Sequence, residues 1–526
     1  MRSKLFKVHV QVDVQVHVQV GFVGILLVLV KVVFVGFQVC VDMKVGEKID
    51  EQKSQQLGLS FVDLPLDIMT HILIRLPIKS ILVCKFICKS FNSVISDPHF
   101  SKLHFKHAPS GFMIRTSDPN RLSRFVHLLE YEPEKFNNND IQCCYCEDDF
   151  IKQECYNHVK LEPKFKLPVH GGNLILDKIN GLNSDVRKRS YAEHESKYDR
   201  FMVVNSCNGF LCLCDRVKNY FVVCNPVTSE FIRLPEATKM DKNKFWHQVV
   251  YPGFGFNPKT NEYKIVRVLK RHKNWWDRKG TMTVDMFTLG TSKWRNVEVH
   301  LQHIFNVEVN HQHIFKLLFP TCTNGALHWI CSHDNKGSLL CFKFKKERFH
   351  SFPSPPGVFI EGKYGTNNVS MGNLGGFLYI CDSSSLDTPV TMWIMKKYGI
   401  GESWTKVFSI DALNKKCWPY GGLYWPVKNF NDGAAMLMCH SSRVFIYYEP
   451  KKCVFKLFKV RGTQSNRLEV IPHIPTFISL KTVVNGNNIR LLDANSRSTK
   501  FKLAEENEAL FLAKVIVEVN VEVDEE

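Results

Sequence analysis

The side chains best equipped for chemistry gather in a few places. Cys143, Cys144, Cys146, Cys155 and His158 are of the types that bind zinc tetrahedrally, and Cys155-x-x-His158 has a workable ligand spacing. Cys143-Cys144-x-Cys146 lacks the paired C-x2-C knuckle, so a surface loop is the preferred reading. His300, His303, His311 and His313 come together because residues 296–305 are copied in 306–315 with two changes. Imidazoles can bind metal or sense pH. A surface loop also accepts an insertion cheaply, and that duplication alone accounts for these histidines. Asp148-Asp149 lies in a charged stretch with no nameable partner. There is no nucleophile elbow, P-loop, dinucleotide fingerprint or HExxH. The sequence therefore assigns no catalytic residue, no cofactor and no metal.

Composition narrows the class. A chain of 526 residues has room for two to four domains, and 44% hydrophobic with 23% charged residues is ordinary for globular structure. The net charge of +18 favours acidic partners. No arginine-rich block, recognition helix or aromatic RNA-binding signature makes nucleic acid the specific ligand. The 18 cysteines fall mostly in apolar runs such as Leu211-Cys212-Leu213-Cys214. There they act as small buried hydrophobes that need no disulfides in a reducing compartment. The expected location is cytoplasmic, nuclear or both.

The ends are unusual. Residues 8–20 alternate valine with polar residues, a strand period. Residues 21–37 are apolar but for Lys31, and the run over 20–37 sits at the limit of about 18 residues for a membrane helix. A membrane anchor, a strand-prone low-complexity tail and sequence foreign to the native product compete. The valine monotony favours the last two, so membrane association is the lesser expectation. Residues 46–60 read as a polar linker. Valine alternation returns with acidic partners at 515–526, VIVEVNVEVDEE, read as a solvated tail.

The elements that must organise the chain lie between these ends. In residues 61–107, Asp63 and Pro65 form a helix-start signature. Ile68, Met69, Ile72, Leu73 and Leu76 make one apolar stripe, which Pro77 terminates. A second apolar segment covers 78–83, and a third runs from Cys84 through Phe91 to Ile95, ending near Asp97-Pro98. Three short amphipathic helices cannot bury this surface among themselves, so the unit is expected to dock on a partner. Leu64-Pro65, Leu76-Pro77, Ile78-Lys79-Ser80, Cys88-Lys89-Ser90 and Ile95-Ser96-Asp97-Pro98-His99-Phe100 resemble the F-box of plant F-box proteins. Two positions depart from that pattern: Val83 stands where Arg is common, and Phe91 where Trp is common. Phe keeps an aromatic plug without the indole donor. The resemblance implies binding of a Skp-type adaptor through Leu64, Pro65, Ile68, Ile72, Leu76, Leu82, Ile87 and Phe91, and through that adaptor a cullin-RING ligase.

A second pattern fills the rest. Asn208-Gly209-Phe210-Leu211-Cys212-Leu213 recurs as Asn324-Gly325-Ala326-Leu327-His328-Trp329 and Gly375-Gly376-Phe377-Leu378-Tyr379-Ile380, and more weakly from Gly433 to His440. A missing copy is expected at 263–268. A second strand follows each copy, at 220–224, 282–289, 338–344, 390–395 and 443–448. A third segment carries an aromatic: Phe231, Trp294, Phe349, Trp404 or Phe455. Strand repeats of about 40–50 residues predict a β-propeller, with a β-sandwich as the competing fold. Asn225-Pro226-Val227-Thr228, Leu234-Pro235 and Gly253-Phe254-Gly255-Phe256-Asn257-Pro258 resemble the kelch-like F-box-associated region of the same plant proteins.

The reading is an α+β multidomain chain. A Val-rich segment (1–45) and the linker (46–60) precede a small three-helix F-box (61–107). An all-β, kelch-like propeller follows (108–480), then a final strand and acidic tail (481–526). The resemblance implies a non-catalytic substrate-recognition subunit of an SCF-type ubiquitin ligase, with the propeller holding an unidentified target protein. A propeller enzyme, a glycan-binding lectin and a membrane-tethered receptor are the alternatives.

Overall fold

The computed structural model describes residues 66–129, 157–174, 201–298, 315–484 and 492–493, apart from short stretches within those ranges. The cysteine–histidine group at 143–158, except His158, lies outside the described residues, as do Asp148-Asp149, the histidines of the duplication and the termini. The chain divides into two compact units, Met1–Phe100 with Arg497–Glu526, and Ser101–Ser496.

Helices α1 (Leu66–Leu73), α2 (Ile78–Ile87), α3 (Lys89–Ser96) and α4 (Pro98–His107) follow one another. After α1 the chain tightens through Arg75 N–H to Ile72 O and Leu76 N–H to Leu73 O, both 3.1 Å. Pro77 then opens α2, its carbonyl accepting from the Ile81 N–H at 3.0 Å. The expected boundary at Cys84 is not a boundary. Ile78, Ile81 and Cys84 form one buried helical face that crosses it, and the helix runs to Ile87. Nor does the helical region end at Asp97-Pro98. The Asp97 carboxylate accepts the His99 N–H at 2.6 Å, and Pro98 takes the first position of a fourth helix.

The second unit is a propeller of six blades. Five follow the sequence in order, each a four-stranded antiparallel meander. Blade 1 is Phe201–Cys207, Phe210–Asp215, Tyr220–Cys224 and Glu230–Arg233; blade 2 is His247–Asn257, Glu262–His272, Thr281–Thr288 and Arg295–Val297. Blade 3 is Phe315–Thr323, Ala326–His333, Lys336–Lys343 and Arg348–Phe352; blade 4 is Val369–Leu374, Phe377–Asp382, Val390–Met395 and Trp404–Ile410. Blade 5 is Tyr424–Phe430, Ala435–His440, Val444–Glu449 and Val454–Val460. The repeat is thus the second strand of each of these five blades, and its missing copy is Glu262–His272. Neighbouring blades cover both faces of these strands, so Phe210–Asp215 is buried throughout. Both-face burial explains why the sequence there is a continuous apolar run rather than an alternation.

Blade 6 joins distant parts of the chain. Arg467–His473 pairs with Gly111–Asp118, from Gly111 opposite His473 to Ser117 opposite Arg467. Phe125–Leu129 and Lys164–Lys166 complete it. Of the final strand, which the sequence pattern puts at 483–492, residues 485–491 lie outside the described residues; Val483 ends a short helix, α5 (Leu480–Val483), and Leu492 begins a strand. Leu492–Asp493 then adds a fifth strand to the outer edge of blade 1, and Asn157–Val159 adds one, in parallel, to blade 5.

Apolar clusters fill the seams between blades. Phe210, Phe221 and Val223 meet Phe254, Ile265 and Phe287 between blades 1 and 2, and Val266, Met286, Trp329 and Phe342 lie between blades 2 and 3. Gly253 is needed at that second seam, since a Cβ there would lie 2.6 Å from the Trp329 ring. Polar latches supplement the seams. Trp294 Nε1 donates to Pro235 O, and Trp404 Nε1 to Pro353 O, both at 3.0 Å. Each of these aromatics reaches back to the proline that follows the previous blade's outer strand.

Candidate docking surface for a partner protein

The site expected from sequence lies on α1 to α3. Helix α2, IKSILVCKFI, is apolar on nearly every side, so one face inside the unit cannot satisfy it. Ile78, Ile81 and Cys84 are buried, while Leu82, Val83 and Ile87 are half-buried and Phe86 is 72% exposed. On α1, Met69 and Leu73 face inward. Leu66 is 64% exposed, Ile68 48%, and Ile72 is half-buried. Among the described residues five large apolar side chains stand exposed, and three of them belong to these two helices. Such a concentration on a small unit marks an interaction surface.

The eight residues expected to meet an adaptor thus divide three ways. Ile68 is exposed, and Ile72, Leu82 and Ile87 are half-buried. Leu76 and Phe91 are buried, at 6% and 5%, so in this structure they belong to the interior of the unit. Leu64 and Pro65 lie outside the described residues. Sequence reasoning missed Leu66 and Phe86. Phe86 could have been found from the Leu82–Phe86 spacing, which puts both on the side of α2 opposite Ile81.

The propeller carries a different kind of detail. Its described cysteines are all free thiols, and nearly all are buried. Burial pushes the Cys224 and Cys331 thiols up to about 12 and Cys341 to about 11, which leaves them unreactive packing groups. Among the described residues no three metal-ligating side chains cluster, and no helix is long and apolar enough to cross a membrane.

Where blade 6 and the segment after it meet blade 1, polar groups hold the ring. Arg115 Nη1 donates to Phe201 O at 2.8 Å, and Ser206 Oγ lies 2.8 Å from His473 Nδ1. Asn225 ties the C-terminal segment to blade 1. Its Nδ2 donates to Thr476 O at 3.0 Å and to Ile478 O at 2.9 Å, while its Oδ1 accepts from Val227 N–H at 3.0 Å. Glu230 receives the Leu480 N–H at 2.8 Å and the Ser479 hydroxyl at 2.7 Å, anchoring the start of α5. The Asn225-Pro226-Val227-Thr228 motif is therefore the clasp of the ring.

A small helical unit with exposed apolar side chains, followed in sequence by a six-bladed propeller, defines a two-part architecture. Comparison with known families agrees: residues 61–103 match the F-box domain, and residues 177–483 match the F-box associated beta propeller domain. Since that second match covers more than half of the chain, the chain belongs to the F-box associated beta-propeller family. Its relatives include the F-box protein At3g07870 of Arabidopsis thaliana, 24% identical over 77% of this chain and 90% of the relative. The F-box/kelch-repeat protein At3g23880 of the same plant is 22% identical over 72% of this chain and 89% of its own length.

Proposed function

We propose that this chain is the substrate-recognition subunit of an SCF-type ubiquitin ligase. Its F-box holds a Skp-type adaptor, and its propeller holds a protein to be ubiquitinated. The observation that carries the reading is the exposure of three large apolar side chains on α1 and α2, Leu66, Ile68 and Phe86, in a unit matched by the F-box domain. The chain itself makes no covalent bond. It works by proximity, keeping lysines of the bound protein at high effective concentration near a ubiquitin-charged enzyme. The expected setting is the cytoplasm, the nucleus or both.

Full-length protein should co-purify with a Skp-type adaptor. Leu64→Ala combined with Pro65→Ala should remove the adaptor while the propeller stays folded. Retention of the adaptor by that double variant, or no capture by the wild type, would count against the reading.

A further inference from the structure

Two of the six blades show that their outer edges accept an added strand. Leu492–Asp493 pairs with blade 1, and Asn157–Val159 with blade 5. Among the described residues nothing pairs with the outer edge of blade 3, the strand Arg348–Phe352. That strand is set apart by charge. The turn leading into it brings Lys343, Lys345, Lys346 and Arg348 together, all exposed, and Lys343 lies directly across the ladder from Arg348. The carboxylate in the turn, Glu347, is already engaged by Arg295 and, at 3.9 Å, by Lys264. The local field is positive: burial, then Lys343, Lys346 and Arg348, hold the His350 imidazole below its usual value. Cations on an edge normally keep like edges apart. The same cations admit an extended segment of opposite charge.

We infer that the outer edge of blade 3 is a docking site for an acidic, extended segment of a partner protein, which adds to Arg348–Phe352 as a fifth strand. Main-chain hydrogen bonds hold the segment, and carboxylates on it meet Lys345, Lys346 and Arg348. Blades 2 and 6 offer edges of only three residues, Arg295–Val297 and Lys164–Lys166, and the turn into the blade 4 edge, Trp404–Ile410, carries only the cation pair Lys396 and Lys397. The inference rests on the receptor reading only in naming the segment's owner as the recruited protein.

The test uses full-length protein and a fluorescein-labelled peptide of alternating Val and Glu, followed by anisotropy. Saturable, salt-sensitive binding is expected. Lys345→Glu with Lys346→Glu should weaken it roughly tenfold at unchanged melting temperature. Lys396→Glu with Lys397→Glu, on the exposed blade 4 turn, should leave it unchanged. A peptide with the same side chains but a backbone N-methylated at alternate residues should not bind. Absence of binding overturns the inference, as does equal binding by the blade 3 variant or loss of binding in the blade 4 variant. Equal binding of the N-methylated peptide reduces the site to unspecific charge and also overturns it. Removing residues 515–526 should not change the affinity; a large gain would assign the edge to the chain's own acidic segment. Self-association lost with the blade 3 variant would assign it to a second copy. None of these measurements involves the adaptor, so their failure is distinguishable from failure of the receptor reading.

Discussion

At the scale of single residues, exposure separates two kinds of apolar side chain in the F-box. Phe86 is exposed and Phe91 is buried, so their substitution should have opposite signatures. Phe86→Asp should abolish adaptor capture and leave the melting temperature in place. Phe91→Ala should destabilise the helical unit by about 3–5 kcal/mol, the usual cost of truncating a buried aromatic. Pull-down and thermal melts on the same samples check both. Three histidines carry a second residue-scale prediction. Burial lowers His328 and His104 to about 4 and His473 to about 3, from an ordinary value of 6.5; the charge of His107 adds to the effect at His104. The unfolded chain takes up these protons below 6.5, whereas the folded chain resists until about 4. Their contribution to stability is therefore complete above 6.5 and is lost as the pH falls toward 4. His328 shows why: its Nε2 faces the Tyr398 hydroxyl at 2.9 Å and its Nδ1 faces Thr321 O at 3.3 Å, which suits a neutral ring with one acceptor and one donor. Thermal melts should drop steeply between pH 6.5 and 4, and a flat profile would count against neutral buried rings.

At the scale of elements, the blade's second strand was legible because it combines a tight turn with a run that is apolar on both faces. Gly209 is such a turn residue. Its φ is +82°, and a Cβ there would lie 2.3 Å from Thr476 Cγ2, so Gly209→Ala should unsettle both blade 1 and the segment after blade 6. The break between α2 and α3 was not legible, because a boundary at Cys84 and a continuous helix bury the same residues. Nor was α4, whose Asp97-Pro98 start reads equally well as the end of what precedes it. Charge inside a blade was equally hidden from sequence. Arg267 and Asp285 face each other across adjacent strands of blade 2, joined at 2.6 Å and 3.1 Å, with Asn296 donating to the other carboxylate oxygen at 3.1 Å. Asp285→Ala would take the carboxylate from a buried guanidinium and should cost about 3–5 kcal/mol, read by denaturant unfolding.

At the scale of the whole molecule, the ring is closed by residues far apart in sequence. Blade 6 could not be read as a repeat, because its inner strand lies at 467–473 and its other strands at 111–129 and 164–166. No local period links them; only the closed ring does. The exposed apolar surface of α1 and α2 was partly legible for a similar reason. The helical stripes were visible in sequence, but which side of α2 turns outward depends on what its other side buries. Adaptor titration by calorimetry tests most directly the proposed recruitment of a ligase through α1 and α2. Full-length wild-type protein should bind a purified Skp-type adaptor with a saturable one-to-one isotherm, and Phe86→Asp with unchanged melting should show no heat of binding. A wild-type protein that melts cooperatively yet gives no binding heat, or a Phe86→Asp variant that binds as well as wild type, would contradict it.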